Sequence, residues 1–246
     1  MNEELNNKTM NWLMFFRTSK NVKNIFNNVS YKYDFLNNLL SLGLHNLWKR
    51  ELVSLANPRA GENWGDLCCG TGDISFIINK KVLPDGKVIG IDNAESILDI
   101  AKKKSENLKN NSIVWHQEDI FNIKKEDYRF DGICMSYGLR NLNNVYMGLI
   151  KVYEILQEDG KAAFLDFNHA KEKSLTDKFQ KLYLRNIVVP ISSIFKLNKE
   201  YSYIEKSIED FPCGEELIKI SNKVGFKKIQ FKTLFFGQMC ILLIQK

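Results

Sequence analysis

One glycine-rich stretch, Asp66-Leu67-Cys68-Cys69-Gly70-Thr71-Gly72-Asp73, constrains the fold of this chain more than any other part of the sequence. The apolar run 64–68 leads into it and a helical pattern follows from Gly72, so the stretch predicts a strand, a tight turn and a helix. Gly70 and Gly72 permit a tight turn and a close approach of the backbone, and the start of the helix offers free N–H groups. Asp92 follows the next predicted strand, where its carboxylate can accept hydrogen bonds from two ribose hydroxyls. The stretch therefore predicts a nucleotide-like ligand, with a plain strand-to-helix turn as the alternative.

The rest of the chain repeats the same order of a short apolar run and a longer amphipathic segment. The predicted strands are 64–68, 87–91, 113–116, 132–135 and 162–167, and the predicted helices begin at Gly72, Ala94 and Asn143. A helix over 215–224 and the apolar runs 226–231 and 234–244 follow, and these two runs are close enough to pair antiparallel. This alternation predicts a doubly wound α/β fold with a Rossmann-like sheet of seven strands, mainly parallel with an antiparallel last strand.

The whole chain, residues 1–246, is expected to form a single domain, because 44% of it is hydrophobic and no linker or internal repeat divides it. Apolar residues at helical spacing predict a helical cap over residues 1–60, and the strand and helix repeats predict a cofactor-binding core over 61–172. Residues 173–210 break the repeat with aromatic and branched apolar side chains, which predicts an inserted apolar lid over the substrate. Residues 211–246 supply the final helix and strands.

Details around the turn decide between two classes of ligand. A dinucleotide fingerprint needs a third glycine three residues after the second, and Ser75 stands at that position. S-adenosylmethionine has no phosphate, and its ammonium, ribose and sulfonium favour carboxylates and backbone carbonyls, so we expect it as the cofactor. No tyrosine is followed four residues later by a lysine, which makes a hydride-transferring short-chain reductase the poorer hypothesis. The predicted cofactor-binding residues are Asp66, Gly70, Thr71, Gly72, Asp92, Asn93, Asp119, Ile120 and Ser136, with Asp119 placed to receive the adenine amino group.

Composition and charge argue against several other classes of protein. The net charge of +6 comes from scattered lysines, which is typical of a solvated surface, so no nucleic-acid partner is expected. The fourth strand is not followed by the Asn- or Asp-Pro-Pro-aromatic motif of transferases that act on base amino groups. The five cysteines form no Cys-x-x-Cys pair, so we expect no metal site and a reducing, cytoplasmic location. Apolar stretches such as 187–195 are too short to span a bilayer, so we expect at most peripheral contact with a membrane surface.

Three signatures in the chain point to one family. The first is Val29-Ser30-Tyr31-Lys32-Tyr33-Asp34, continued through 37–45 to Trp48-Lys49-Arg50, and the second is Tyr137-Gly138-Leu139-Arg140-Asn141. The third is the glycine turn, which lies between the first two, and Tyr201-Ser202-Tyr203 extends the likeness towards the end of the chain. Together they resemble the ubiquinone and menaquinone biosynthesis C-methyltransferases over nearly the whole chain. The resemblance implies a class I S-adenosylmethionine-dependent methyltransferase that methylates a ring carbon of a prenylated quinol.

Two shorter motifs refine the resemblance. Leu165-Asp166-Phe167-Asn168 and Phe211-Pro212-x-Gly214 are similar to the cyanobacterial and plastid branch that makes phylloquinone. This implies demethylphylloquinol as the substrate. Demethylmenaquinol, a ubiquinone-pathway benzoquinol, a catalytically inactive quinone-pathway scaffold and a quinone oxidoreductase are the alternatives. Cys68 departs from the usual turn, since many relatives have the first glycine there.

Three residues are the candidates for catalysis. Arg140 can stabilise a developing quinolate oxygen or hold a water, although a structural ion pair is the alternative. Asn141 can orient the same oxygen or water, or simply form a turn. His45 is the candidate base, with a packed, hydrogen-bonded histidine as the alternative and His169 as its competitor. The implied partners are the lipophilic prenylated quinol and a membrane surface, with a homodimer left open.

Overall fold

A computed structural model describes residues 41, 43–108, 112–168 and 206–246, with the isolated positions 178, 182, 186 and 190. Most of the predicted cap, 1–60, and most of the predicted lid, 173–210, lie outside the described residues. So do Tyr33 and His169. The predicted cofactor-binding core is described almost completely, and the site can therefore be built from its residues.

The centre of the structure is one sheet of seven strands. They are β1 (Asn63–Leu67), β2 (Lys87–Asp92), β3 (Ile113–Gln117), β4 (Phe130–Ser136), β5 (Leu156–Phe167), β6 (Lys228–Leu234) and β7 (Met239–Gln245). Their order across the sheet is β3-β2-β1-β4-β5-β7-β6. The first five strands in this order pair in parallel, and β7 runs antiparallel to both β5 and β6. The predicted α/β fold with a mainly parallel sheet and an antiparallel last strand is thereby confirmed.

Five helices of the described chain pack on the two faces of the sheet. They are α1 (Leu44–Ala56), α2 (Asp73–Val82), α3 (Glu95–Asn107), α4 (Val145–Ile155) and α5 (Gly214–Val224). One buried cluster joins α4 and α5 to β4 through residues such as Phe130, Met135 and Leu149, while the other joins α1 and α2 to β1 around Trp64 and Ile78. The two clusters are the two layers of one α/β core, and each packs a different pair of helices onto the sheet.

Strand β5 begins earlier than the sequence pattern indicates. The prediction placed its start at Ala162, whereas the strand begins at Leu156. The pairing of β4 with β5 shifts register after Phe130, and Asp159 takes a positive φ of 61°. The irregular segment is polar, so it lacks the apolar alternation that identifies a strand in a sequence. Within the described residues, no helix combines the length and the apolar character needed to cross a membrane.

The sheet topology places the candidate site at one edge. Strand β1 lies between β2 and β4, so the connections after β1 and β4 leave the sheet at the point where the strand order reverses. In open α/β sheets, ligands bind in the crevice outside the carboxyl ends of the strands at this reversal. The glycine turn after β1, Asp92 after β2 and the second signature after β4 therefore converge there.

Candidate active site

The turn between β1 and α2 is built on three residues with positive φ. Cys68, Gly70 and Gly72 have φ values of 52°, 55° and 84°. A Cβ added to Gly72 would lie 2.5 Å from a ring carbon of Trp115, so this position needs glycine for both conformation and space. Cys68 adopts a conformation that favours glycine. The strained backbone at Cys68 ends β1 one residue earlier than predicted.

Asp92 holds this turn from the end of β2. Its Oδ2 accepts a hydrogen bond from the backbone N–H of Gly70 at 2.9 Å, and its Oδ1 accepts one from the N–H of Ala94 at 2.8 Å. Burial raises the pKa of Asp92, and the backbone donors offset part of that rise. The carboxylate thus links the glycine turn to the start of α3 while it lines the cleft.

The main cleft encloses about 750 Å³ of space, part of which is open to solvent. Asp119 lines the same cleft, and its Oδ1 accepts a hydrogen bond from the N–H of Phe121 at 3.0 Å. Apolar side chains such as Ile97 and Leu142 line the same cleft. The predicted site residues that line this cleft are Gly70, Asp92, Asn93, Asp119, Ile120, Ser136 and Asn141.

A smaller cleft of about 310 Å³ continues the main one. The two clefts share Cys68, Gly70, Ser136 and Tyr137 in their walls. The described lining residues that belong to the smaller cleft alone are Lys49, Asp66, Cys69, Thr71, Asp73 and Ile74. The predicted cofactor residues Asp66 and Thr71 therefore line the smaller cleft, whereas Asp119 lines the main one. Gly72 is the residue immediately before α2, where it shapes the turn.

Two polar atoms in these walls have no hydrogen-bond partner among the described residues. They are Oδ1 of Asp66 and Oγ of Ser136, and both are buried. A buried polar atom without a partner costs about 1–3 kcal/mol, so such atoms need an explanation. Asp66 lines the smaller cleft and Ser136 lines both clefts. A ligand with hydrogen-bonding groups along its length would satisfy the two atoms, which fits a nucleoside joined to an amino acid.

Asp66 is the most strongly perturbed carboxyl of this site. Burial raises its pKa from 3.8 to about 7, although the hydroxyl of Ser75 donates a hydrogen bond to Oδ2 at 2.6 Å and lowers it in part. The positive charge of Lys49 also lowers it. Near neutral pH, this carboxyl is therefore divided between its neutral and its charged form.

The raised pKa of Asp66 predicts how stability depends on pH. Because the pKa is higher in the folded state than in the unfolded state, protonated Asp66 contributes stability that is complete below pH 4 and is lost as the pH rises through about 7. An Asp66→Asn variant lacks this dependence. Between about pH 4 and pH 8 the free energy of unfolding should fall by on the order of 4 kcal/mol more in the wild type than in the variant. Urea titrations of the ligand-free proteins measure this difference, and parallel curves would contradict it.

Arg140 lies in the short 3₁₀ turn after β4, and its side chain is held in a buried ion pair. Nη1 donates to Oδ1 of Asp166 at 2.8 Å and to the carbonyl oxygen of Tyr137 at 3.1 Å. Oδ2 of Asp166 also accepts the backbone N–H of Arg140 at 3.0 Å. The guanidinium carbon lies 5.0 Å from the ring centroid of Phe167. Arg140 is only 7% exposed. The structure therefore contains a buried ion pair between Arg140 and Asp166, which is the alternative role that the sequence indicates for Arg140.

Asn141 and His45 occupy different surroundings. The Asn141 amide donates to the carbonyl oxygen of Tyr137 at 2.7 Å, so it closes the turn while lining the main cleft. His45 is buried near the start of α1, where its Nδ1 lies 2.8 Å from Oγ of Ser41. His45 is not among the described residues that line either cleft. The structure thus brings Asn141 to the cofactor cleft and places His45 in a hydrogen-bonded, packed position.

Sequence reasoning assigned no role to three charged residues of the site. Lys49 and Asp73 form an ion pair at 2.8 Å, and Asp166 holds Arg140. Lys49 and Asp166 each lie inside a motif that carries the family resemblance, and a charged residue within the apolar run of β5 is a usable signal. Their partners are 24 and 26 residues away along the chain, so only the fold could identify them. Among the described residues, no group of three or more His, Cys, Asp or Glu side chains could hold a metal ion.

Solved structures with the same fold include other methyltransferases. A methyltransferase from Thermotoga maritima matches with a TM-score of 0.64 and 15% identity, covering 91% of this chain and 99% of its own. Phosphoethanolamine N-methyltransferase 2 from Haemonchus contortus, solved with S-adenosylmethionine, also has a TM-score of 0.64 at 14% identity, covering 94% of this chain and 59% of its own. At these identities the likeness shows a shared fold.

Sequence relatives are closer and span almost the whole chain. The 2-phytyl-1,4-naphthoquinone methyltransferase of Nostoc punctiforme is 36% identical over 92% of this chain and 98% of its own length, and that of Synechocystis is 35% identical over 96% and 99%. The chloroplastic enzyme of Arabidopsis thaliana is 36% identical over 82% of this chain and 78% of its own. The profile of the ubiE/COQ5 methyltransferase family matches residues 14–246. With a methyltransferase sheet, a cleft shaped by the glycine turn and relatives of this similarity, the chain belongs to the ubiE/COQ5 methyltransferase family.

Proposed function

We propose that this chain transfers a methyl group from S-adenosylmethionine to a ring carbon of demethylphylloquinol, the reduced 2-phytyl-1,4-naphthoquinone. The observation that carries the proposal is the name shared by the cyanobacterial and chloroplast relatives, at 35–36% identity. The reaction would be the final methylation of phylloquinone biosynthesis. The cleft at the carboxyl ends of β1, β2 and β4 supports it, because a cofactor and a substrate can meet there.

The residues of the two clefts fit S-adenosylmethionine. Asp92 would accept hydrogen bonds from the ribose hydroxyls, and Asp119, which lines the same cleft, would receive the adenine amino group. In the smaller cleft, the unpartnered Oδ1 of Asp66 would accept the ammonium of the methionine part. Oγ of Ser136 provides a further hydrogen bond where the two clefts join. When bound, the cofactor supplies an electrophilic methyl group on a sulfonium.

The quinol, and not the quinone, is the substrate form that suits this chemistry. The ring carbon must act as a nucleophile, whereas an oxidised quinone ring is itself electrophilic. Loss of the proton from the adjacent hydroxyl raises the electron density on that carbon. The site must therefore hold the ring in line, accept a proton and stabilise a quinolate oxygen.

Arg140 and Asn141 are proposed to act on the quinolate oxygen. Both lie in the turn after β4, where Asn141 lines the main cleft and Arg140 is not among the described residues that line either cleft. Asp166 and the ring of Phe167 hold the guanidinium in one orientation, and a preorganised positive charge stabilises developing negative charge without reorganising. His45 is not among the described residues that line either cleft, and Ser41 engages its Nδ1, so the geometry favours a packing role for His45 in α1.

We also propose that the protein meets its substrate at a membrane surface. A phytyl tail partitions into lipid, and the turn between β6 and β7 presents Phe236 with 79% of its surface exposed. Leu47 of α1 is 57% exposed. Flotation with anionic vesicles tests the membrane contact, and light scattering tests the homodimer that the sequence left open.

A methyl-transfer assay with a panel of quinols tests the function. The purified protein is given S-adenosylmethionine carrying a deuterated methyl group, together with demethylated benzo- and naphthoquinols bearing phytyl or polyprenyl tails. We expect the label in the ring of the phytyl naphthoquinol, and at least tenfold less product when the reductant is omitted.

The other outcomes of the panel are equally specific. Faster labelling of a polyprenyl naphthoquinol or of a benzoquinol would overturn the assigned substrate and retain the reaction. No labelled product from any quinol would favour an inactive scaffold. Consumption of a nicotinamide cofactor under the same conditions would indicate an oxidoreductase instead.

A further inference from the structure

The second signature, Tyr137-Gly138-Leu139-Arg140-Asn141, begins with a residue that has no part in the proposed reaction so far. Tyr137 follows directly after β4, and its side chain is half-buried. It is one of the described residues that the two clefts share in their walls. Tyr137 is therefore placed where the main cleft and the smaller cleft meet.

The backbone of Tyr137 has a conformation that a tyrosine rarely adopts. Its φ is 59°, in the left-handed region that is unfavourable for any residue with a Cβ. Its N–H donates to the carbonyl oxygen of Leu165 at 2.7 Å, while its own carbonyl oxygen accepts Nη1 of Arg140 at 3.1 Å and Nδ2 of Asn141 at 2.7 Å. Strain of this kind persists only where the surroundings hold it in place, and it clusters at functional sites. The strained backbone at Tyr137 therefore indicates a functional position.

The ring of Tyr137 is supported from the end of β5. Its centroid lies 6.0 Å from that of Phe167, at an interplanar angle of 55°, and 6.0 Å from the guanidinium carbon of Arg140. The next residue, Gly138, packs directly against the glycine turn, because an added Cβ would lie 2.7 Å from Cβ of Cys68. The end of β5 thus supports the ring, and the glycine turn fixes the backbone next to it.

An aromatic ring at this place suits the head group of the proposed substrate. The naphthoquinol is flat and aromatic, and aromatic pairs contribute binding energy beyond the burial of their area. Methyl transfer requires the accepting carbon to lie in line with the sulfonium methyl, so the quinol ring must be held in one orientation. Among the described residues that both clefts share, Tyr137 is the only aromatic one.

We propose that Tyr137 is a substrate-binding residue whose ring packs against the naphthoquinol ring where the two clefts meet. This inference rests on the proposed function. The strained backbone fixes the position of the tyrosine, and Phe167 and Arg140 support its ring. The second signature then has two tasks, because Tyr137 positions the quinol ring and its neighbours in the turn act on the quinolate oxygen.

The test separates binding of the quinol from binding of the cofactor. Steady-state kinetics with the reduced phytyl naphthoquinone and calorimetry with S-adenosylhomocysteine are carried out on the wild type, Tyr137→Phe and Tyr137→Leu. Tyr146→Leu is the matched control, because Tyr146 lies on α4 and is not among the described residues that line either cleft.

We expect Tyr137→Leu to raise KM for the quinol about tenfold and to leave the affinity for S-adenosylhomocysteine within twofold. Its kcat should fall less than its KM rises, because Arg140 and Asn141 bond to the backbone carbonyl oxygen, which leucine retains. Tyr137→Phe keeps the ring and should keep KM within about twofold. Tyr146→Leu should change neither KM nor the cofactor affinity. If Tyr137→Leu does not fold, Tyr137→Met provides the same comparison.

The backbone strain has a separate readout that needs no substrate. Tyr137→Gly and Tyr137→Ala both lose the ring, but only glycine adopts a φ of 59° freely. In urea titrations, the unfolding equilibrium constant of the glycine variant should be about fivefold to thirtyfold smaller than that of the alanine variant. Both variants should raise KM at least as much as Tyr137→Leu does.

Other outcomes would overturn the inference. A KM of Tyr137→Leu within twofold of the wild type would remove the ring from the quinol site. An equal loss of quinol and cofactor affinity would mean that Tyr137 acts only through the packing of the turn. Glycine and alanine variants of equal stability would show that no strain is held at this position. A wild type that methylates no quinol would instead contradict the proposed function.

Discussion

Replacing Arg140 with alanine is expected to lower the turnover of methyl transfer by about two to three orders of magnitude, with a much smaller change in cofactor affinity. The guanidinium is held by Asp166 and Phe167 in the turn after β4, whose neighbouring residues Gly138 and Asn141 line the main cleft. Its loss removes a preorganised charge that acts on the quinolate and not on the cofactor. Steady-state kinetics with a reduced naphthoquinol, together with calorimetry for S-adenosylhomocysteine, separate the two effects.

Stability must be measured alongside turnover, because Arg140→Ala leaves the Asp166 carboxylate buried without its cation. Breaking a buried ion pair from one side costs about 3–5 kcal/mol of folding free energy. Arg140→Lys keeps a positive charge but loses the planar fork, so it should recover stability better than turnover. Arg129→Ala, at an exposed arginine, is the matched control.

Two results would decide against this role for Arg140. Turnover of Arg140→Ala within threefold of the wild type, measured on folded protein, would leave Arg140 with its ion pair alone. Full recovery of turnover in Arg140→Lys would show that a charge without a fixed orientation is sufficient.

Asp92→Ala should weaken the binding of S-adenosylhomocysteine by about a hundredfold to a thousandfold. The carboxylate accepts the N–H groups of Gly70 and Ala94, and in the proposed complex it also accepts the ribose hydroxyls. Each hydrogen bond to a charged group contributes about 1.5–3 kcal/mol, and 1.4 kcal/mol is a tenfold change in affinity. The variant therefore loses both the ribose contacts and the anchor of the turn.

Calorimetry on three proteins checks this expectation. Asp92→Asn keeps one acceptor oxygen and should fall between the wild type and Asp92→Ala. Asp99→Ala removes an exposed carboxylate of α3 and should bind as the wild type does. If Asp92→Ala retains wild-type affinity, Asp92 supports the turn without contacting the cofactor.

Most strands and helices of the core could be predicted from the sequence, because their signals are local. The glycine turn, the alternation of apolar runs and amphipathic segments, and the carboxylate after β2 each depend on neighbouring residues. Strand β5 was predicted too short, since its first part contains a bulge of polar residues. A bulge depends on the register with the partner strand, which no single segment encodes.

The sequence by itself determined the α/β class, the place of the glycine turn and the identity of Asp92 and Asp119 as acidic residues at strand ends. These follow from the period of the side chains and from the few residues that tolerate a positive φ.

Only the tertiary structure decided which charges meet. It paired Arg140 with Asp166 and Lys49 with Asp73, and it left Oδ1 of Asp66 buried without a partner among the described residues. The members of each pair lie on different elements, so their distance and burial arise only when the helices pack on the sheet. Burial also determines how strongly each charge interacts, because the surrounding medium changes from water to protein.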